Sequence, residues 1–348
     1  MAWAVPQYTK SQVDAAGQVL VEDVKDFATY DWGKYENALT VINNWRSSHS
    51  FPLNTFQVGL REKGRQVDSN CLVAQRIKRL SSISLKLRRF KTMKLSQMQD
   101  IGGCRAIVKN VINVNQLLGL YQRSGIKHKL DHIDDYIKNP QKSGYRGTHL
   151  IYRYYSDRKK TYNGLKIEIQ LRSPLQHAWA TAVETVGTFI KQALKSSQGE
   201  EDWLRFFALM GTAIAFRERT PPVPDTPTER SALKNALRQY ASGLDVVHRL
   251  HTYGAALQTL EEPSALDAHY YLLRLEPSEH RVTVTGFKAN ELEQASKEYL
   301  EVERSIKDQA GADAVLVSVE SLDSLRRAYP NYFLDTGKFI EAVNRVLE

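Results

Sequence analysis

Two isolated carboxylates in the sequence have neighbours that suit a divalent metal. Asp100 precedes the pair Gly102-Gly103, and Glu168 lies in a stretch of alternating apolar and polar residues. Mg²⁺ in proteins is usually held by one or two carboxylates together with substrate phosphates and water. We therefore predict that Asp100 and Glu168 bind Mg²⁺. In the alternative interpretation, the Asp is a turn residue and the Glu faces solvent.

Cations in the segments around the first carboxylate are of the kind that neutralise a polyphosphate. Arg76, Lys78, Lys86 and Arg105 could hold a triphosphate and offset the charge that develops when it is cleaved. Tyr145, in a glycine-rich segment, is well placed to stack on a purine. No G-x-x-x-x-G-K-[S/T] run is present, so this is not a P-loop. The nine histidines show no H-E-x-x-H spacing, which favours Mg²⁺ over zinc.

Basic residues are concentrated in one stretch of the chain. The whole sequence has 48 Lys and Arg against 39 Asp and Glu. Residues 65–109 hold eleven Lys and Arg and two Asp and Glu, whereas residues 261–348 hold ten and seventeen. A strip of this kind suits a polyphosphate or a nucleic-acid backbone, or it is a solvated helix face. The acidic tail could dock on the strip and compete with its ligand.

The elements that must position these groups follow from hydrophobic periodicity. The first seventy residues are predicted to be helical, with apolar residues three and four apart over 12–28 and 32–48, and further helices are predicted over 114–122, 174–195 and 200–219. Strands are predicted at 104–109, 148–155 and 165–172, the last two joined as a hairpin by Asn163-Gly164. The odd-numbered residues of the last strand are apolar, so Glu168, Gln170 and Arg172 share its other face.

Four prolines in residues 220–228 mark a predicted domain boundary, because this density cannot continue a helix. Beyond it we predict helices within 229–260, strands at 269–275, 281–287 and 314–319, a helix over 290–309, and helical turns at 322–327 and 336–347. The predicted fold class is α+β. The predicted domains are 1–219, a proline-rich linker and helical connector at 220–265, and a small α+β unit at 266–348.

Composition narrows the class of protein. Hydrophobic residues make up 42% and charged residues 25%, as in globular proteins. The longest apolar run, 206–216, is shorter than the roughly 20 residues that span a bilayer. The first residues do not have the pattern of a secretory signal. Cys71 and Cys104 are too few for a disulfide framework or a four-ligand zinc site. We expect a soluble cytoplasmic protein with no membrane partner.

Five motifs occur in a fixed order over residues 65–190. They are R-x-K-x-x-x-S-x-x-x-K from Arg76, D-I-x-G-x-R from Asp100, S-G-Y-R-x-x-H from Ser143, E-I-Q-L-R from Glu168, and a later W-A pair. In this order they resemble the synthetase domain of RelA/SpoT enzymes, and especially the small alarmone synthetases. The resemblance implies a nucleotidyltransferase-like mixed sheet with flanking helices. It also implies a pyrophosphokinase that moves pyrophosphate from ATP to a ribose 3′-hydroxyl.

The same resemblance implies roles on the donor side of the reaction. Arg76 and Arg105 would sandwich the adenine of ATP. Lys78, Ser82 and Lys86 would hold its phosphates.

On the acceptor side, the resemblance implies that Asp100 and Glu168 bind Mg²⁺, and that Glu168 or its neighbourhood helps to deprotonate the attacking hydroxyl. Tyr145 would stack on the acceptor's base. The rest of the acceptor pocket would be lined by His149, Gln170 and Arg172.

The C-terminal part resembles that of CapRel-type proteins, which are fused toxin–antitoxins. The features that carry this resemblance are the β-β-α-β pattern at 269–319 without zinc ligands and the segment 328–333, AYPNYF. It implies a pseudo-zinc-finger-like antitoxin and sensor domain whose Tyr329 and Tyr332 plug the adenine site of the same chain. In that family the toxin pyrophosphorylates the 3′-CCA end of tRNA, and a phage major capsid protein releases the block. Alternatively, both tyrosines are ordinary buried aromatics.

Three functions remain open at this point. The first is an autoinhibited, anti-phage tRNA pyrophosphokinase, whose acceptor stem would follow the basic residues Arg88, Arg89, Lys91 and Lys94. The second is an alarmone synthetase that uses GDP or GTP and has a regulatory tail. The third is a non-enzymatic RNA-binding or partner-sensing module. Retention of both carboxylates and the phosphate-binding cations argues against the third.

Overall fold

The computed structural model describes residues 3–23, 30–193, 200–255, 257–261, 268–306, 309 and 311–348. Its helices are α1 (Lys10–Leu20), α2 (Trp32–Ser48), α3 (Ser50–Val67), α4 (Leu80–Arg89), α5 (Val111–Gln122), α6 (Pro174–Ala193), α7 (Glu200–Glu218), α8 (Arg230–Gly243), α9 (Val246–Ala255), α10 (Leu292–Ser305), α11 (Leu322–Ala328) and α12 (Gly337–Leu347). Its strands are β1 (Leu72–Ile77), β2 (Gly102–Ile107), β3 (Lys129–Asp135), β4 (Thr148–Arg153), β5 (Lys166–Arg172), β6 (Gln258–Glu261), β7 (Tyr270–Glu276), β8 (Arg281–Phe287) and β9 (Asp313–Ser318).

Among the described residues, the strands form one mixed sheet of nine in the order β3-β4-β5-β2-β1-β9-β7-β8-β6. The pairs β2–β5 and β6–β8 are parallel, and the other neighbours are antiparallel. The C-terminal strands join the rest through a short contact in which Gln75 faces Ser318 and Arg76 faces Val317. This contact places the C-terminal unit directly beside the strand that carries Arg76. The predicted α+β class, with a large mixed sheet and flanking helices, is confirmed.

The sequence of helix α4 determines which of its residues are buried and which basic residues it exposes to solvent. Ile83 and Leu87 are buried, while Arg88 and Arg89 are exposed on the last turn. Cations are favourable there because the carbonyl end of a helix carries a partial negative charge. The helix therefore packs by one apolar face and presents part of the basic strip to solvent.

Two of the hydrophobic cores include elements that carry or follow the site residues. One lies between the sheet and helices α1–α5 and includes Ile42, Leu60 and Ile167. The other joins α6–α9 to the last helix, α12, through residues such as Phe206 and Phe339. The C-terminal helix thus packs against helices that directly follow the strands of the site.

Most predicted elements are present, with shifted ends. The hairpin is confirmed as β4 and β5, with Arg153 opposite Lys166, and Gly164 takes a φ of +88° in the connection. The strand predicted at 104–109 begins and ends two residues earlier, and the helix predicted over 12–28 ends at Leu20, with 24–29 outside the described residues. The helix predicted over 174–195 is present as Pro174–Ala193, with 194–195 outside the described residues. The helix predicted over 290–309 is present as Leu292–Ser305, with 307–308 outside the described residues.

Three secondary-structure elements were not predicted, and a fourth was predicted as the wrong type. β1 was not predicted, because it depends on pairing with β2 and β9, and α4 was not predicted, because its three cations interrupt the apolar pattern. β3 was not predicted because its sequence, KLDHIDD, is largely charged, as suits a strand at a sheet edge. The prediction of helix to residue 260 was wrong, since Gln258–Glu261 forms edge strand β6 against β8. Backbone pairing outweighed local propensity there. Within the described ranges, no helix combines the length and hydropathy needed to cross a membrane.

Candidate active site

The parallel pair β2–β5 brings the two predicted metal ligands together. Gly103 lies opposite Glu168 in the register, and Asp100 is two residues before β2. Both carboxylates line one cavity of about 80 Å³. The cavity's other lining residues are Ala74, Arg76, Lys78, Gly103, Cys104, Arg105, Gln170, Arg172, Glu184 and Tyr329. Carboxylates and cations from distant segments therefore share one cleft.

Asp100 is held between two ammonium groups. Its Oδ2 accepts a 2.7 Å hydrogen bond from Lys78 Nζ, and its Oδ1 accepts a 3.0 Å bond from Lys86 Nζ. Burial alone would raise the pKa of Asp100, but the two lysines lower it to about 2. The carboxylate is therefore ionised at every physiological pH.

Glu168 is buried, and both of its oxygens have partners. His149 Nδ1 lies 2.9 Å from Oε1, and Gln170 Nε2 donates to Oε2 at 2.6 Å. Burial alone would raise the pKa of Glu168, but His149 lowers it below its usual value. Burial alone would lower the pKa of His149, but Tyr145 and Glu168 raise it to about 9. The pair is therefore an imidazolium and a carboxylate at neutral pH.

The predicted acceptor-pocket residues lie in one hydrogen-bond network with Glu168. Tyr145 Oη lies 2.6 Å from His149 Nε2 and accepts a 2.8 Å bond from Arg172 Nη2. The same Nη2 donates to Gln170 Oε1 at 3.0 Å, and the Arg172 guanidinium lies over the Tyr145 ring at 5.2 Å. Nε and Nη1 of the buried Arg172 have no hydrogen-bond partner among the described residues, so this cation retains donors for an anionic ligand.

Gly144 fixes the loop that carries Tyr145. Its φ is +93°, and a Cβ atom there would lie 2.7 Å from the carbonyl oxygen of Phe207. A side chain would therefore collide with the backbone of α7 as well as strain its own backbone. The close approach of loop and helix sets the position of the Tyr145 ring.

The two predicted adenine-binding arginines border the cavity, beside Tyr329. The Arg105 guanidinium lies 5.4 Å from the centre of the Tyr329 ring, and its Nη2 donates to Ala328 O at 2.7 Å. Burial and the charge of Arg172 lower the pKa of Arg105 to about 10, so it remains charged. Burial alone would lower the pKa of Arg76, but Glu184, Tyr332 and Tyr329 raise it.

Glu184 is a site residue that motif reasoning missed. It belongs to α6 and borders the cavity. Desolvation would raise the pKa of its carboxyl, but Arg76, followed by Arg79, Arg105 and Arg172, lowers it. One sequence signal could have found it, since Glu184 is the only charged residue among the side chains from 178 to 189.

Other predicted residues lie outside the cavity wall. Ser82 is half-buried near the start of α4 and is not among the cavity-lining residues. The four predicted RNA-binding cations are exposed, on the last turn of α4 and just after it, and Arg88 forms a 3.1 Å ion pair with Asp23. They are Arg88, Arg89, Lys91 and Lys94. This part of the strip is therefore accessible from solvent.

The C-terminal unit also contacts the start of α4. Glu303 of α10 accepts a 2.7 Å hydrogen bond from Leu80 N and forms a 2.8 Å ion pair with the buried Arg46. Asp313 forms an ion pair with Arg79. Carboxylates from the acidic tail thus bind a helix N-terminus and two arginines, all of which are groups that would otherwise attract an anion.

Both predicted tyrosines are buried. Tyr329 is 2% exposed and donates a 2.9 Å hydrogen bond to the backbone oxygen of Gln75. Tyr332 is 0% exposed and donates to Asp313 Oδ2 at 3.0 Å, while Arg79 donates to its hydroxyl at 3.1 Å. Of the two rings, only that of Tyr329 is among the residues that line the cavity.

The donor set fits Mg²⁺, a hard cation that prefers oxygen ligands and keeps waters and phosphates in its shell. Asp100 and Glu168 would hold the ion, which would neutralise charge on the transferred phosphates. Among the described residues, no group of three or more His, Cys, Asp or Glu could hold a metal.

Comparison with known proteins identifies this part of the chain. Residues 75–188 match the family model described as the region found in RelA / SpoT proteins. The chain contains a RelA/SpoT synthetase domain. The enzyme class of this domain is pyrophosphokinase. No curated protein matches the chain.

Several solved structures are similar to the chain. Small alarmone synthetase 1 from Bacillus subtilis, bound to its product pppGpp, is 18% identical, with 62% of this chain and 97% of that chain covered and a TM-score of 0.39. A GTP pyrophosphokinase family protein from Streptococcus pneumoniae is 23% identical, with 48% and 85% covered and a TM-score of 0.39. The protein smu.1046c from Streptococcus mutans UA159 is 30% identical, with 48% and 86% covered and a TM-score of 0.37.

The charged pair His149–Glu168 makes stability depend on pH. The pKa of His149 is raised from 6.5 to about 9 on folding, so its contribution is complete below pH 6.5 and is lost as the pH rises through about 9. Across that interval we expect the free energy of unfolding to fall by up to about 3 kcal/mol more in the native chain than in His149→Gln. Urea unfolding of both proteins at several pH values measures this. A constant difference between them would mean that His149 is not the titrating group.

Proposed function

We propose that the chain transfers pyrophosphate from ATP to the 3′-hydroxyl of the tRNA CCA end and thereby blocks translation. The main support is that Asp100 and Glu168 line one cavity with Arg76, Lys78 and Arg105. An acceptor oxygen would attack the β-phosphorus, the bond to the α-phosphate oxygen would break, and AMP would leave. Such a transfer requires in-line positioning and charge neutralisation rather than a covalent nucleophile. A cytoplasmic location follows from these substrates.

The proposed roles of the residues follow from where they lie in the site. Arg76 and Arg105 would hold the adenine, and Lys78 and Lys86, which pair with Asp100, would hold the phosphates. The acceptor hydroxyl would enter beside Glu168, whose carboxylate accepts the proton or orients the hydroxyl. The network of Tyr145, His149, Gln170 and Arg172 would hold the acceptor's terminal nucleotide.

The basic strip favours RNA as the acceptor. Four exposed cations follow one another at the end of α4, outside the cavity that would hold ATP. Each phosphate that a cation contacts adds affinity that falls with salt. The second candidate is an alarmone synthetase that uses GDP or GTP, and the RelA/SpoT match favours it. The enzyme class is the same, and only the acceptor differs.

Label transfer from [γ-³²P]ATP decides between the two acceptors. The Tyr329→Ala variant, in which the tyrosine no longer covers the cavity, is incubated with bulk tRNA, with GDP and with GTP, and the same variant carrying Asp100→Asn serves as the inactive control. Label on tRNA that is lost after removal of the 3′-terminal adenosine supports the proposal. Label on GDP or GTP alone would reject the tRNA assignment and establish the alarmone alternative.

We expect the double variant Arg88→Glu, Arg89→Glu to lose tRNA use selectively. Two phosphate contacts become repulsive, so kcat/KM for tRNA should fall by about tenfold or more, while KM for ATP stays within about twofold. Steady-state kinetics in the Tyr329→Ala background, at two salt concentrations, measure both. A matched control is Lys159→Glu, Lys160→Glu, which reverses two exposed cations in the β4–β5 connection. Equal losses for tRNA and ATP would mean that the strip serves the nucleotide alone.

We also propose that the C-terminal unit holds the synthetase domain inactive through an intramolecular toxin–antitoxin contact. The cavity beside Tyr329 has a volume of about 80 Å³, whereas typical ligand sites have about 300–1,000 Å³. Cation–π contact with Arg105 and tethering in the same chain both favour the tyrosine over ATP. The Glu303 and Asp313 ion pairs add further contacts that millimolar ATP would have to displace.

The trigger that opens the closed form is proposed to be a phage major capsid protein, as in CapRel-type fusions, which makes the chain an anti-phage defence protein. A partner that binds the C-terminal unit better when it is undocked would shift the population toward the active form. Adding purified capsid protein to the labelling reaction tests this. Binding without activation would reject the capsid protein as the trigger.

We expect Glu303→Ala to activate the enzyme. In the open state Arg46 and Leu80 N can be solvated, so losing Glu303 destabilises the closed state alone. Breaking a buried ion pair typically costs about 3–5 kcal/mol, and a rise in transfer rate of at least about tenfold is expected. The exposed neighbour Glu301→Ala is the control. An unchanged rate in Glu303→Ala would show that the α4 contact does not restrain the domain.

A further inference from the structure

A second and larger cavity lies between the RelA/SpoT domain and the C-terminal segment. Its volume is about 430 Å³, and it shares no lining residue with the candidate active site. Leu72 and Ile107 of the sheet form part of one wall, and Pro330 and Phe339 form part of the other. The cavity is therefore bounded on one side by residues next to the Tyr329 segment.

The charges around this cavity are not balanced. Of its four cations, Arg326 is paired with Glu261. Lys109, Arg327 and Lys338 are exposed, and within the described part of the chain their side chains have no ion pair or hydrogen bond. Three unpaired positive charges of the described residues therefore border an apolar pocket.

The two carboxylates that line the cavity are occupied elsewhere. Asp68 accepts hydrogen bonds from Lys109 N at 2.7 Å and from Asn70 N at 3.0 Å. Asp335 accepts a 3.0 Å bond from Gly337 N. Both carboxylates serve the turns that carry them, and neither forms an ion pair with the three free cations in the described residues.

We propose that this cavity binds a nucleoside phosphate. Its volume lies in the range of small-molecule sites, about 300–1,000 Å³, and suits one nucleotide. The apolar walls match a flat base, and Lys109, Arg327 and Lys338 match a phosphate group. Asn70 and Thr181 also line the cavity and supply groups that can hydrogen-bond to base edges.

The site acts as a regulatory site, and this part of the inference rests on the proposed autoinhibition. Arg327, which lines this cavity, and Tyr329, which plugs the other one, belong to the same short segment of the chain. His177 Nε2 donates to Arg327 O at 3.2 Å and Arg105 donates to Ala328 O at 2.7 Å, so these bonds hold the segment in its docked position. The cavity exists only while that segment is docked. A ligand that binds only the docked form stabilises it by linkage and lowers activity.

Equilibrium binding to the full chain tests the site without any measurement of transfer. AMP and GMP are titrated by calorimetry in the absence of Mg²⁺, with adenosine, guanosine and inorganic phosphate as comparison probes. We expect saturable binding of a monophosphate below about 1 mM. Arg327→Glu and Lys338→Glu should weaken it by about tenfold or more. Arg345→Glu, an exposed charge reversal on the same helix as Lys338, should not.

The variant Tyr329→Ala distinguishes ligand binding at this cavity from ligand binding at the active site. Undocking the segment should weaken binding at the second cavity, whereas it would strengthen binding at an ATP site that the tyrosine covers. No saturable binding, or equal affinity in native chain and Arg327→Glu, would overturn the proposal. Binding of a short oligoribonucleotide but of no monophosphate would overturn it too, because the cations would then serve RNA. Since transfer is not measured, failure of the proposed reaction leaves this result intact.

Discussion

Asp100→Asn is expected to abolish pyrophosphate transfer, with a loss of about 1,000-fold or more in kcat, equivalent to about 4 kcal/mol of transition-state stabilisation. The native carboxylate, with a pKa of about 2, is ionised at neutral pH and pairs with Lys78 and Lys86. An amide cannot supply the negative charge that holds Mg²⁺ against a triphosphate. The two lysines would also lose the partner that orients them toward the phosphates.

The measurement uses the activated Tyr329→Ala background, so that a low rate cannot come from autoinhibition. Thermal unfolding of the variant checks that the fold is retained. Asp131→Asn, an exposed carboxylate on β3 that pairs with Arg153, is the matched control and should keep full activity. Normal turnover in Asp100→Asn would refute the metal assignment.

Tyr329→Ala is expected to raise the transfer rate by about 100-fold or more and to make expression toxic. The ring is buried, stacks on Arg105 and donates to the backbone of β1. Truncating a buried aromatic typically costs about 3–5 kcal/mol. That loss falls on the docked form, because the undocked segment makes none of these contacts. The closed population should fall accordingly.

Tyr329→Phe is the matched control for this prediction. It keeps the ring over Arg105 and removes only the hydrogen bond to Gln75 O, so the enzyme should remain largely inactive. Growth arrest after induction and label transfer in vitro measure the two variants. Harmless expression of Tyr329→Ala, with the rate of the native chain, would mean that the tyrosine is only part of the core.

Local patterns predicted the hairpin around Asn163-Gly164 because its signals lie within a few residues of one another. Alternation in the second strand placed Glu168, Gln170 and Arg172 on one face, and in the structure these three side chains line the same cavity. β1 was not predicted, although it carries Arg76. Its stability comes from neighbours on both sides, β2 and β9, rather than from its own sequence.

The sequence by itself determined the enzyme class, the order of the motifs and the chemical types of the site residues, because each of these is encoded in short runs. Only the tertiary structure decided that Glu184 borders the cavity and that Glu303 binds the start of α4. It also placed Arg105 against Ala328 and Tyr329. The bonds Leu80–Glu303 and Arg105–Ala328 each join residues 223 positions apart. No local periodicity records such a pair, since its energy arises only when folding removes both partners from water and brings them within hydrogen-bond distance.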